Sequence, residues 1–544
     1  MSHHGPGLST SQLRHPATLA ILCGGLSTRL GSDKGLYEPL GDEPLVARAV
    51  RLLGSRYAEV LVVVRDAEQA ARYEQALARH LDAAAACVRI VHDDELARSP
   101  VHAALTGVAT ALARASEKHV LVLPVDQVGV RERHLEHLWA VGATASTPTA
   151  FALAENQILP FPSLWPRAAV TRIEARLSTG TLSVRDALRT LEARTTPSGD
   201  SATELIRNGN TAEELRAHFG EPLFDPFNRR LHYLRFSLTE ACNLSCTYCL
   251  PKGFPEWRRH KARLALSDIE TMLGGFRQLG FRKVRFTGGE PTVHPGCLEA
   301  VRRASRWGYE RIALTTNGLL IDDLTPWLDA GLTHLNVSLD ALDATTFAQM
   351  TGSRDAERVR QLVERAAANG LDVKVNTVLL RSVNGQPRII EELIDWALGL
   401  PITLRFIELM ETKLNGSFAT SERVLGTEIE PYLAARGLAR LGDAGKSPDL
   451  RGPATDYGAA DQPGRIGLIN PMSCNFCSKC NRLRITAKGR LKLCLFGDED
   501  MPLDLSSPQA VALNVRRLID RKPERHYLED GRIGNVATFR TIGG

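Results

Sequence analysis

Two kinds of segment are missing from these 544 residues. No uninterrupted apolar run of about 18 residues occurs, which argues against a helical membrane span. Met1–Pro16 is polar and rich in His and Gly. It lacks the apolar stretch of a secretory signal and reads as a disordered leader. Aromatic residues are scarce, at 6%, and 67 basic against 62 acidic residues leave a formal charge of only +5. That balance gives no basic groove interleaved with stacking rings, so no nucleic-acid partner is expected. There is no low-complexity tract and no short-period repeat. Local basic residues remain available for a phosphorylated small substrate.

Cysteine is sparse too, at ten residues, but it is bunched. Cys23, Cys87 and Cys297 stand alone, while Cys242, Cys246 and Cys249 form one group and Cys474, Cys477, Cys480 and Cys494 another. Such spacing without a secretory signal implies metal ligation in a reducing cytoplasm rather than disulfides.

The length admits two to four domains at roughly 100–200 residues each. The first 200 residues alternate apolar runs with helical patterns. Strands are predicted at Thr18–Cys23, Val60–Val64, Val88–Val91 and Val120–Leu123, with a helix at Pro44–Leu53. This is the rhythm of a doubly wound α/β sheet. Thr195–Asp200 carries turn residues, and a helix at Thr211–Phe219 closes the domain, expected over 17–218. Glu221–Asn228, with Pro222 and Pro226, reads as a linker, placed at 219–228. The rhythm restarts over 229–544, with strands at Leu234–Leu238, Lys283–Thr287, Arg311–Thr315, His334–Leu339, Asp372–Leu379 and Thr403–Glu408. Six such units predict a partial (β/α)6 barrel, with a C-terminal cluster-binding extension and its chemistry at the C-terminal strand ends.

Cys242-x3-Cys246-x2-Cys249 follows the first of these strands. Three thiolates on one loop can hold three irons of a [4Fe–4S] cube and leave the fourth open to a cofactor. A structural zinc is the plain alternative, but zinc normally wants four protein ligands. The spacing resembles the radical S-adenosylmethionine superfamily, and Thr287-Gly288-Gly289-Glu290-Pro291 is similar to its second motif, which holds the methionine amino group. Cys477-x2-Cys480-x13-Cys494 is a second set of three, with Cys474 as a residue that could close it. Two open clusters would serve a radical source and a substrate.

From about Phe224 to Gly544 the chain resembles the GTP 3′,8-cyclase family of molybdenum cofactor synthesis. The resemblance rests on Tyr233-Leu-Arg235-Phe-Ser-Leu-Thr, Lys283-Val-Arg285-Phe-Thr287, Thr315-Thr-Asn-Gly, Asn336-Val-Ser338-Leu-Asp340, Val373-Lys374-Val-Asn376, Arg405-Phe-Ile-Glu-Leu-Met410, Arg482-Leu-Arg484 and the Gly543-Gly544 tail. It implies that Tyr248, Gly289, Ser338 and Met410 contact S-adenosylmethionine. It also implies that Arg235, Arg285, Thr315, Lys374, Arg482 and Arg484 contact GTP, with Arg482, Arg484, Gly543 and Gly544 serving catalysis. The reaction implied is cyclisation of GTP to 3′,8-cyclo-7,8-dihydro-GTP. Arginine forks suit a triphosphate. One departure stands out: Thr292-Val293-His294 replaces the family's Leu, an apolar residue and Arg.

In the N-terminal half, Leu22-Cys23-Gly24-Gly25-x3-Arg29-x-Gly31-x-Asp33-Lys34 follows a strand. Small residues let backbone N–H groups approach phosphates, and Arg29 and Lys34 add charge. With Pro44-Leu45 and Asn208-Gly-Asn210-Thr211, it resembles the molybdenum cofactor guanylyltransferase family over roughly 17–218. The resemblance makes Leu22, Cys23, Gly24 and Asp93 nucleotide contacts, Lys34 catalytic, and Asp126 the ligand of Mg2+. Gly24-Gly25 favours guanine over cytosine chemistry. Departures are Ser99-Pro-Val-His102-Ala, Val125 and Gln127 beside Asp126, and Arg65 where an Asn contacts the base.

Three readings stay open on these residues. One is a bifunctional enzyme that also transfers GMP from GTP to molybdenum-molybdopterin. The second is a cyclase with a non-catalytic nucleotide-binding or docking domain. The third is another radical enzyme, acting for example on peptides, which Arg482, Arg484 and the Gly-Gly terminus argue against. The resemblances imply GTP and molybdopterin as substrates, an electron donor, and a downstream cyclic pyranopterin synthase that takes the product. They leave a homodimer open and call for no membrane.

Overall fold

The computed structural model describes residues 15–25, 29–40, 43–81, 87–93, 103–153, 157–180, 182–199, 205–249, 263–442, 453–472 and 477–526. They fall into two compact units, one running to Phe219 and the other starting at Gly220. Among the described residues no helix is long and apolar enough to cross a membrane.

The first unit is built on β1 (His15–Leu22), β2 (Tyr57–Val64), β3 (Val88–His92), β4 (His119–Pro124), β5 (Thr149–Ala152), β6 (Ile158–Pro166) and β7 (Arg194–Pro197). Their order is β3-β2-β1-β4-β6-β5-β7. β1 to β4 pair in parallel, and β6 runs antiparallel between β4 and β5. Alternation along these buried strands feeds two cores. Leu19, Ile21, Val60, Val62 and Val64 meet Val46 and Val50 of helix Leu45–Leu53. Ala20, Leu61, Val63, Val120 and Val122 meet Leu105, Val108 and Leu112 of helix Ala104–Arg114. Helices on both faces leave the loops at the C-terminal strand ends free to form a site.

Two expectations need correction here. β1 begins at His15, inside the segment read as leader; residues 1–14 lie outside the described residues. Thr195–Pro197 is not a turn but most of β7, paired in parallel with β5. Its consecutive threonines favour a strand, and Thr196 is buried; the turn signals begin only at Ser198-Gly199.

The second unit opens with β8 (Leu223–Phe224) paired to β9 (Arg230–Leu231), inside the segment read as a linker. Buried Asp225 holds this turn, accepting from Phe227 N and Arg229 N, both at 3.0 Å, and from Arg229 Nε at 2.6 Å. Then come β10 (Tyr233–Ser237), β11 (Lys283–Thr287), β12 (Arg311–Thr316), β13 (His334–Ser338), β14 (Asp372–Val378) and β15 (Thr403–Ile407), all parallel. They are followed by β16 (Ala439–Arg440), β17 (Thr455–Gly458), β18 (Arg465–Ile469), β19 (Arg482–Ile485) and β20 (Leu491–Lys492). The C-terminal extension adds a parallel strand at each edge of the six, β18 beside β15 and β19 beside β10.

Outward positions are apolar: Leu234, Phe236, Val284, Phe286, Leu335, Val337, Val373, Val375, Leu404 and Phe406 pack in one core with the surrounding helices. The alternate, inward positions carry Arg235, Arg285, Asn336, Lys374 and Arg405. This period-two pattern gives the barrel a dry outside wall and a polar lumen.

Candidate functional site

The loops after β10, β11, β12, β13 and β15 enclose one cavity. It is lined by Cys242, Cys246 and Cys249 together with Tyr248, Gly288, Gly289, Glu290, Thr315, Ser338, Asp340, Asn376 and Met410. Tyr248, Gly289, Ser338 and Met410 are thus brought together beside the three thiols. The cysteine loop and the Gly-Gly turn meet backbone to backbone: Gly289 N donates to Thr239 O at 2.7 Å, and Glu290 N to Ala241 O at 2.8 Å. Gly288 has φ +155°, and a Cβ there would stand 2.4 Å from Thr239 O.

Glu290 is buried and saturated. It accepts from Thr292 N (3.0 Å), Thr292 Oγ1 (2.6 Å), Thr316 Oγ1 (2.7 Å) and Asn317 N (2.7 Å), tying the end of β11 to that of β12. Burial still raises its carboxyl above the ordinary range. The departures from the family pattern are structural here. Thr292 clamps Glu290. His294, also buried, makes a 2.9 Å bond from Nε2 to Leu264 O and accepts from Gly296 N at Nδ1 at 3.0 Å. On the far wall Tyr248 OH donates to Asp340 Oδ2 at 2.9 Å; burial pushes Asp340 up to about 6.

Two residues upstream of the cavity wall on the same strands lies a layer of cations. Arg285, Lys374 and Arg405 precede Thr287, Asn376 and Ile407 by two positions, which is roughly 7 Å along a strand at about 3.3 Å per residue. Register sets Arg235 between Arg285 and Arg484, and Tyr233 between Lys283 and Arg482. Lys283 Nζ stands 4.5 Å and the Arg285 guanidinium 5.6 Å from the centre of the Tyr233 ring. Burial raises the Tyr233 phenol, but Arg285, Lys283, Arg235 and Arg482 outweigh it and bring it down to about 7. Burial and neighbouring cations lower Lys283 to about 7 and Lys374 to about 8. Lys374 is ion-paired with Asp372, whose Oδ2 lies 3.3 Å from His334 Nε2. A lumen this crowded with positive charge is arranged for a polyanion.

Cys477, Cys480 and Cys494 are half-buried thiols outside any disulfide, flanking β19 and β20. Burial would raise Cys480, but Lys522, Arg482 and Arg484 hold it below its ordinary value. In the first set, burial and the neighbouring Asp340, Cys249 and Cys242 push Cys246 well up. A backbone N–H reaches sulfur in each set: Leu244 N to Cys242 Sγ and His526 N to Cys477 Sγ, both 3.4 Å. Cys474, Gly543 and Gly544 lie outside the described residues.

In the first unit Leu22, Cys23, Gly24, Gly25, Lys34, Asp93 and Asp126 line one pocket. Lys34 Nζ lies 2.6 Å from Asp126 Oδ2 and 2.8 Å from Asn210 Oδ1, and Gly209 N bonds Asp126 O at 2.8 Å. Asp33 stays behind the pocket, held by Tyr73 OH (2.6 Å) and Gln69 Nε2 (2.7 Å). Asp93 is buried on Thr110 Oγ1 at 2.8 Å. Gln127 points away, bonding Phe161 O at 2.8 Å and Leu205 O at 2.6 Å; its substitution leaves the pocket's donors intact. The Arg65 side chain pairs with Asp66 at 2.7 Å. Ser99 to His102 lie outside the described residues.

The GTP 3′,8-cyclase of Shewanella denitrificans is 40% identical over 332 residues, which cover 59% of this chain and 96% of that protein. That of Pasteurella multocida is 40% identical over 336 residues, covering 60% and 98%. The chain belongs to the GTP 3′,8-cyclase family. Residues 236–397 match the Radical SAM superfamily, 402–528 match Molybdenum Cofactor Synthesis C, and 19–195 match the MobA-like NTP transferase domain. Molybdopterin-guanine dinucleotide biosynthesis protein A from Archaeoglobus fulgidus is 20% identical, covering 37% of this chain and 95% of that one, with a TM-score of 0.30. Streptococcus suis SuiB bound to S-adenosylmethionine is 14% identical, covering 65% and 78%, with a TM-score of 0.39.

Membership of the radical SAM superfamily implies S-adenosylmethionine and [4Fe–4S] clusters. The residues of this GTP 3′,8-cyclase family member fit them: thiols in threes outside any disulfide, N–H donors on sulfur, and a glycine wall that a side chain would fill. Among the described residues no three His, Cys, Asp or Glu side chains gather to hold a single metal ion. Sequence reading missed the layering of Lys283 and Arg405 with the named cations, although period-two alternation signals it. It also missed Arg229 and Lys522 near the second thiols, for which no local motif exists.

Proposed function

We propose that the second unit cyclises GTP to 3′,8-cyclo-7,8-dihydro-GTP and that the first transfers GMP from Mg-GTP to molybdenum-molybdopterin. One observation carries the first part: a three-thiol cavity at the strand ends stands directly above a cationic layer on the same strands. With its clusters and S-adenosylmethionine bound, the site would supply radical chemistry that removes hydrogen from C3′ of GTP; C3′ would then bond to C8, and a further electron and a proton would close the shell of the 7,8-dihydro product. Tyr248, Gly289, Ser338 and Met410 hold S-adenosylmethionine against the first thiols. Arg235, Arg285, Lys374 and Arg405 grip the triphosphate, Thr315 joins the two layers, and Arg482 and Arg484 approach from the edge strand beside the second thiols. Gly543 and Gly544 serve the cyclisation. An electron donor would supply the two electrons of the conversion, one to cleave S-adenosylmethionine and one to complete the dihydro product, and a cyclic pyranopterin synthase would consume that product.

In the first unit the backbone of Leu22–Gly25 lines the nucleotide site, with Asp93 at its side. Lys34 neutralises phosphate charge, and Asp126 holds Mg2+. The Lys34–Asp126–Asn210 set supports this active reading over a silent domain. Replacing Cys246 with Ala should abolish 5′-deoxyadenosine formation from S-adenosylmethionine while pyrophosphate release from Mg-GTP, with molybdopterin carrying molybdate, continues. Retained cleavage would sink the radical assignment, and pyrophosphate release that is absent from the wild type would sink the transferase.

A further inference from the structure

The second thiol set has a companion that no motif announces. Lys522 is 4% exposed. Its ammonium donates to Leu493 O at 2.5 Å and Arg482 O at 3.3 Å. Leu493 directly precedes Cys494, and Arg482 lies two residues after Cys480. Among the described residues Lys522 pairs with no carboxylate. Lys492 nearby shows the ordinary arrangement: equally buried, it reaches Asp500 at 3.1 Å. A buried ammonium without a counter-ion is costly, on the order of several kcal/mol, and two carbonyl dipoles do not replace a charge.

The backbone around Lys522 is pinned there. Buried Arg229 bonds Cys477 O at 2.8 Å, Glu524 O at 2.5 Å and Pro523 O at 2.7 Å, and His526 N reaches Cys477 Sγ. Asp225 neutralises Arg229 itself at 2.6 Å. Arg484 on β19 is as buried and, among the described residues, likewise meets no carboxylate, but Lys522 is the one of the two whose head group bonds the carbonyls of Leu493 and Arg482 next to Cys494 and Cys480.

We infer that Lys522 is a positioning residue of the second cluster, its ammonium the built-in counter-charge of the Cys480 and Cys494 thiolates. This rests on the proposed second cluster. A fixed cation beside a cluster favours the added electron, since net charge and sulfur hydrogen bonding set cluster potentials. Losing it must lower the potential and leave the first cluster untouched.

The test uses the full chain, reconstituted anaerobically, as wild type, Lys522→Met, Lys522→Gln and Lys522→Arg. Iron content and the midpoint of each cluster, followed by electron paramagnetic resonance during dithionite titration, are the readouts. A Cys242→Ser/Cys246→Ser/Cys249→Ser background isolates the second cluster. The expected result is a lower second-cluster midpoint in the Met and Gln variants, with Arg near wild type and the first cluster unmoved. Gln keeps a donor for the two carbonyls, so a Gln variant that titrates like wild type overturns the inference. If Met and Gln lose the second cluster's iron while Arg keeps it, the charge requirement stands. If all three lose it, the position serves packing alone and the inference falls. A wild-type chain with no second cluster in that background would refute the cluster itself, a separately visible failure.

Discussion

Gly289 and Ala241 stand so close that a Cβ on the glycine would lie 2.4 Å from the Ala241 carbonyl oxygen, which already accepts Glu290 N at 2.8 Å. The Gly-Gly turn therefore does mechanical work in addition to any contact it makes with a cofactor. It lets the end of β11 carry the cysteine loop on its backbone.

Gly289→Ala should accordingly displace Cys242 and its neighbours. Overpacking against backbone costs about 1–3 kcal/mol, concentrated on one loop. We expect loss of the first cluster's iron and at least a 100-fold fall in 5′-deoxyadenosine formation, while the second cluster is kept. Iron analysis and visible absorption check this, and full iron content with unchanged turnover would contradict it.

Much of this was legible in the sequence because alternation is local. Val284 and Phe286 point out and Lys283 and Arg285 point in, so β11 could be read to the residue. What escaped depended on partners far along the chain. β7 exists because Arg194–Pro197 finds β5, and the Glu221–Asn228 segment is ordered because Asp225 finds Arg229. β18 joins the sheet from a segment given no strand, and β19 from one read for its cysteines and for Arg482 and Arg484 rather than as a strand. Lys522 acquires meaning only when the chain brings it back to Cys480.

The second prediction concerns the transferase. Lys34 and Asp126 meet at 2.6 Å across 92 positions of sequence, so each fixes the other. Lys34→Ala and Asp126→Asn should each lower pyrophosphate release by on the order of 10²–10³, the scale of losing one preorganised electrostatic contact. Cyclase turnover in the same preparations should hold at the wild-type level. Unchanged pyrophosphate release in both variants would remove these residues from the site.

A third prediction addresses the departure at His294. Both ring nitrogens are bonded, to Leu264 O and Gly296 N, in a slot 5% exposed. Restoring the family's residue, His294→Arg, places an unpaired charge there. Destabilisation of about 2–4 kcal/mol is expected, read as a lower denaturation midpoint of the second unit. His294→Gln, which keeps one donor and one acceptor, should cost less. Equal stability of all three proteins would show that the slot does not discriminate.

The last prediction follows from the lumen. Lys283 and Lys374 sit at about 7 and about 8, lowered first by burial, and the Tyr233 phenol is pulled down to about 7 by the surrounding cations. As pH rises from 7 to 9 the lysines lose protons and the phenol ionises, so all three changes subtract positive charge. A bound triphosphate stabilises the protonated form of each group and raises its pKa, so GTP binding takes up protons. Affinity is then greatest below the free-state values and falls as pH climbs through them, by up to tenfold per unit for each fully titrating group. Working above pH 7 keeps the terminal phosphate of GTP ionised, so the ligand's own charge stays nearly constant. Calorimetry in two buffers of different ionisation enthalpy should show Kd rising by about tenfold or more between pH 7 and pH 9, with net proton uptake. Lys374→Met should bind more weakly at pH 7 and lose part of that uptake. A flat pH profile in the wild type would mean that these groups do not meet the triphosphate.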